Sequence, residues 1–110
     1  MIVAAIIFFA LAAVLGAIML TYLLRGKHIP KGLALLHGPL AVIGLVLLIC
    51  SAWAFEGAWW VVALFAAAAT GGLLLLYKDI TRKAPKWLGL AHGLLAVTGL
   101  LVLLFLVYHP

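Results

Sequence analysis

Two histidines, His37 and His92, stand within long apolar stretches of a 110-residue chain. Each begins a His-Gly pair, and each follows a proline, Pro30 or Pro85, by seven residues. An imidazole can donate or accept a hydrogen bond, move a proton or ligate a metal. An ionisable side chain in such surroundings is costly and is a functional hypothesis by default. Thr70 and Thr98, the other polar residues nearby, can bond to their own helix backbone. The acids, Glu56 and Asp79, are expected in loops, and the single cysteine, Cys50, permits no disulfide, CxxC pair or cysteine zinc cluster. No nucleophile–base pair, phosphate loop or hydrolytic metal cluster is present, so catalysis by this chain alone is not expected. His28 and His109 read as solvated, and Cys50 as a small packing residue.

The elements that position the histidines follow from composition. Hydrophobic residues make up 70% of the chain, charged residues 8%, and the mean hydropathy is +1.43. Soluble domains carry about 25% charged residues, so a water-soluble globule is excluded. Four apolar runs, at about 2–24, 32–53, 58–77 and 87–108, are each long enough to cross a bilayer as a helix. Nothing alternates as a barrel strand would. The first run lacks a basic start and is too long for a signal peptide, so it reads as a true span.

All seven Lys and Arg residues fall in loops 25–31 and 78–86, between the first two and the last two spans. The positive-inside rule puts these loops in the cytoplasm and both termini outside, in a bacterial or archaeal inner membrane. Trp53, Trp59, Trp60 and Tyr108 then anchor the outer interface, and Tyr22, Tyr77 and Trp87 the inner one. The net charge of +5 reads as a topogenic signal and a contact for anionic lipid. It does not require a nucleic-acid partner.

The chain also repeats itself at an offset of 55. The segment from Pro30 through His37-Gly38 to Gly44 aligns with that from Pro85 through His92-Gly93 to Gly99, and the register continues back to pair Gly16 with Gly71 and Tyr22 with Tyr77. Repeats 1–55 and 56–110 are two hairpins of the same orientation, related by an axis along the membrane normal. The expected fold is an all-α membrane domain, a four-helix up-down-up-down bundle. In it helices 2 and 4 face each other diagonally, with Pro30 and Pro85 near their first helical positions. The histidines then share one depth in the cytoplasmic half.

Small residues flank both histidines at helical spacing: Ala34, Gly38, Ala41 and Gly44 on helix 2, and Gly89, Gly93, Ala96 and Gly99 on helix 4. Small faces permit close helix packing, or leave a slot for a flat cofactor. A diagonal histidine pair with such flanks suits a macrocycle with one imidazole on each side of its metal, as in a bis-histidine haem. No CxxCH motif is present, so the group expected is non-covalent haem b, with His37 and His92 on the iron. Its propionates would face Lys31, Lys86 and the helix N-termini. Structural helix–helix bonding, a proton relay, a quinone contact and a magnesium tetrapyrrole are the other readings; zinc would be under-coordinated.

His37 and His92, with Gly38, Gly44, Gly93 and Gly99, give a pattern that resembles small membrane b-type cytochromes of the cytochrome b561-like group. The resemblance covers helices 2 and 4. It implies electron transfer, with partners such as quinol or a redox subunit. That group typically uses two histidine pairs, and here the outer pair is missing. A single haem in one leaflet implies a homodimer or a subunit of a larger redox complex. A structural or assembly subunit is the alternative. A small multidrug transporter, which the length and span number also resemble, is disfavoured because the first span carries no acid.

Overall fold

The computed structural model describes residues 1–109. Four helices follow in order: α1 (Ile2–Leu24), α2 (Lys31–Ser51, continued by a 3-10 turn at Ala52–Ala54), α3 (Ala58–Thr81) and α4 (Lys86–Tyr108). All four are long and apolar enough to span a membrane. The particle is 42 Å long, close to a bilayer with its headgroup regions, about 40–45 Å. Its outer surface is apolar: Leu35 is 73% and Leu73 70% exposed. In water such a surface would drive association; lipid is the solvent that suits it.

Each helix starts and stops for a local reason. Pro30 and Pro85 sit at the N-cap, one residue earlier than expected, with ψ of 128° and 140°. Their carbonyls accept the first helical N–H groups, from Leu33 and Ala34 and from Leu88 and Gly89. Gly26 and Gly57, with φ of 72° and 82°, make the turns after α1 and before α3, where a side chain would be strained. One boundary differs in a way that matters. α3 continues past Tyr77 to Thr81, so Lys78 and Asp79 are helical rather than in a loop. Apolarity stops at Tyr77, but Lys-Asp-Ile-Thr is compatible with helix, and the Thr81 hydroxyl bonds back to the Tyr77 carbonyl.

Neighbouring helices are α1 with α2, α3 with α4, α1 with α4 and α2 with α3. The square arrangement leaves α1 opposite α3 and α2 opposite α4. Contacts within each hairpin run antiparallel. On α1 and α2, Gly16 meets His37 and Phe9 meets Gly44; on α3 and α4, Gly72 meets His92 and Phe65 meets Gly99. Both pairs of contacts are seven residues apart on each helix.

The half of the bundle away from the basic loops is solidly packed around Ala5, Phe9, Leu48, Val61, Phe65 and Leu103. Its lower boundary is a stack of the Phe9 and Phe65 rings, 3.8 Å apart and within 2° of parallel. Gly44 and Gly99 back this stack from α2 and α4: a Cβ at either would lie 3.0 or 3.1 Å from a phenyl ring. At the basic end Leu23, Leu75, Ala84 and Leu88 form a second packed cluster. The loops meet there too, with the Lys83 ammonium 3.7 Å from the place a Gly26 Cβ would occupy.

Replacing Gly44 with leucine should therefore lower the thermal stability of the protein in detergent, by about 1–3 kcal/mol as for other overpacked cores. Gly38→Ala, whose Cβ meets nothing within 4 Å, should hold or raise it by up to about 1 kcal/mol through helix propensity. A Gly44→Leu protein as stable as the parent would contradict the stack geometry.

Candidate functional site

Between the Phe9–Phe65 stack and the basic end, the bundle encloses a cleft of about 920 Å³. That volume lies at the upper end of the range for ligand sites, about 300–1,000 Å³. The histidines sit in this cleft, part-buried, with ring centres 6.1 Å apart and planes at 77°. They come from opposite helices and meet at one depth.

Each imidazole is held by a backbone bond across its own hairpin. His37 Nδ1 lies 2.8 Å from the Ala12 carbonyl and His92 Nδ1 2.7 Å from the Ala68 carbonyl. A carbonyl only accepts, so Nδ1 carries the hydrogen in both rings. The second nitrogen, Nε2, then carries no hydrogen and presents a lone pair. This is the arrangement of a metal-ligating histidine, whose other N–H is normally tied to a carbonyl or carboxylate.

The geometry depends on glycine. A helical carbonyl already bonds the N–H four residues later, and the side chain of that later residue shields it. At Ala12 and Ala68 the later residues are Gly16 and Gly72. A Cβ there would lie 3.1 Å from His37 Cε1 or 3.0 Å from His92 Cε1. Glycine thus opens one carbonyl to a second donor. The partner of Gly16 is Gly72 and not Gly71, whose Cβ would stand 3.8 Å from the ring. Phe9 and Phe65, Ala12 and Ala68, and Gly16 and Gly72 each differ by 56, whereas His37 and His92, and Gly44 and Gly99, differ by 55. The Gly71-Gly72 doublet conceals this shift in the sequence. The seven-residue spacing from Phe9 to Gly16 and from Phe65 to Gly72 is the signal that distinguishes them.

The other expected site residues divide. Gly38, Ala41, Gly93, Ala96 and Lys31 line the cleft. Gly44 and Gly99 are not among its lining residues and instead back the phenyl stack; Lys86 is likewise outside the lining. Asp79 lines it, with a side chain only 11% exposed, 3.4 Å from Nδ1 of His28. His28 itself is 68% exposed. His28 is solvated as expected, but the sequence carries no signal for its contact with Asp79, which lies on α3 rather than in a loop. Among the described residues no three His, Cys, Asp or Glu side chains gather as a metal cluster. At the depth of His37 and His92 the cleft offers two imidazole nitrogens, and His28 and Asp79 add a further pair of polar groups to its lining.

Nitrogen NMR of the ring positions should show Nδ1 protonated and Nε2 bare in both His37 and His92 of the ligand-free protein. A bare Nδ1 in either would break the hydrogen-bond assignment.

Comparison of the chain with family models, with curated proteins and with solved structures finds no match. The function has to be inferred from the chemistry of the cleft.

Proposed function

We propose that this chain is a membrane electron-transfer subunit that binds one haem b between His37 and His92. The observation that carries the reading is the imidazole pair, anchored through Nδ1 and spaced at 6.1 Å between ring centres. Metal–nitrogen bonds of about 2.0–2.1 Å on each side, with each ring centre about 1.1 Å behind its nitrogen, call for about 6 Å. A macrocycle brings its own in-plane donors, so two protein ligands suffice. The alanine and glycine lining leaves room for a flat group. Haem held by His37 and His92 would supply one-electron transfer.

The residues divide the remaining tasks. His37 and His92 hold the metal, and the Ala12 and Ala68 carbonyls fix their tautomer and orientation. The phenyl stack floors the cleft. Lys31 offers a cation to a propionate.

The basic end is assigned to the cytoplasm by the positive-inside rule, which leaves both termini outside. A duplicated two-helix hairpin accounts for the matched halves. A single haem in one leaflet does not bridge the membrane, so the chain works as a homodimer or within a larger redox complex, with quinol or a redox subunit as partner. A second reading is a non-catalytic structural or assembly subunit. The satisfied cross-hairpin bonds of both histidines favour it, since such bonds also join helices in lipid.

Purified protein, expressed with ample haem, should show a low-spin six-coordinate b-type spectrum with about one haem per chain. His37→Ala and His92→Ala should each abolish it. A colourless wild-type protein whose single histidine variants still assemble would instead establish the structural reading. Reporter fusions at Asp79 and at the C-terminus should report opposite sides of the membrane, with Asp79 cytoplasmic; the reverse result would overturn the orientation.

A further inference from the structure

The two flanks of the cleft are built from equivalent positions but end differently. On the α1–α4 flank, Leu23 is buried and seated directly against Gly89, where an added Cβ would collide with its side chain. By the offsets of 56 and 55, the matching positions on the α2–α3 flank are Asp79 and Ala34. All four positions line the cleft, and the glycine notch that Leu23 fills has no counterpart at Ala34. Asp79 turns instead to His28 in the connection between α1 and α2. Ile29, Lys31 and Ile80 complete this mouth. α2 also carries Pro39, which supplies no N–H to the Leu35 carbonyl and so eases bending of this flank. Leu35 and Leu73, both exposed to the surroundings, also line the cleft.

We infer that the cleft is loaded sideways, between α2 and α3, and that the His28–Asp79 contact is the latch of that opening. This rests on the haem reading above and names the path by which the group reaches the histidines. The α1–α4 flank stays shut because Leu23 fills the space that Gly89 vacates. On the α2–α3 flank, where the helices touch less than on the α1–α4 flank, a 3.4 Å contact between a loop and a helix joins them at the mouth. Such a contact is worth at most about 1 kcal/mol, and it can break without disturbing either packed cluster. The loop then swings from α3, and a flat apolar molecule passes from the bilayer to the imidazoles without crossing the basic end.

The test uses the full chain in lipid nanodiscs. Haemin uptake is followed by the rise of the Soret band, and release by transfer to apomyoglobin. Ala34→Leu puts on the α2–α3 flank the bulk that Leu23 provides on the other. It should slow uptake and release together, about tenfold or more. Asp79→Asn weakens the latch and should speed both steps, by up to about fivefold, the equivalent of 1 kcal/mol. An equal change in uptake and release leaves affinity untouched, which a merely structural loss would not do. Ala34→Leu protein with the normal spectrum and unchanged rates would overturn the α2–α3 path. If that variant does not fold, Asp79→Asn decides: unchanged rates, or slower ones, overturn the inference. Wild-type protein that takes up haemin while both variants keep its rates refutes only the path. Wild-type protein that takes up none refutes the haem reading and the path together.

Discussion

An imidazole N–H inside an apolar bundle must find an acceptor, and nearly every carbonyl within a helix is already engaged. His37 and His92 solve this by sharing the carbonyls of Ala12 and Ala68. Sharing is easiest where the residue one turn later has no side chain, and Gly16 and Gly72 meet that condition. Those two bonds fix how closely each hairpin closes and in which register. They also fix the tautomer of each ring and leave Nε2 with a free lone pair. The site and the fold therefore depend on the same pair of hydrogen bonds.

Register carries the consequence along the bundle. Seven residues from each histidine, Gly44 and Gly99 come opposite Phe9 and Phe65, the residues seven back from Gly16 and Gly72. The glycines admit the phenyl rings, and the rings meet across the α1–α3 diagonal. One diagonal is filled by stacked aromatics and the other, a layer below, by facing imidazoles. In lipid, helices gain little from the hydrophobic effect, so association rests on close packing and interhelical hydrogen bonds. The phenyl layer supplies the first and the histidine layer the second. The packed half can thus support an adjoining half that is hollow.

The hollow half is where near-symmetry gives way. Equivalent positions hold Leu23 on α1 and Asp79 on α3, and Gly89 on α4 and Ala34 on α2. A leucine in a glycine notch makes a permanent seal; a carboxylate reaching to a loop histidine makes a breakable one. The histidine layer keeps the symmetry, and both rings reach one depth. The chain departs from its own pattern at the flanks and keeps it at the histidines.

Four spans, the shared depth of His37 and His92 and the clustering of charge at one end were legible in the sequence. Each depends on hydrophobicity or on simple spacing, which act locally. Small residues around the histidines were legible as well, but not what each one touches. Helical periodicity says which residues share a face, whereas the neighbour that face meets depends on loop length and helix register. The connection from α1 to α2 carries one residue more, between equivalent points, than that from α3 to α4. This made Gly72 rather than Gly71 the histidine's neighbour. It also assigned Gly44 and Gly99 to the phenyl stack. Asp79 was misplaced for a related reason: apolarity ends at Tyr77, but helix formation needs only backbone hydrogen bonds and continues to Thr81. Which groups would line a cavity, and which flank of it would be sealed, was decided only when four helices met.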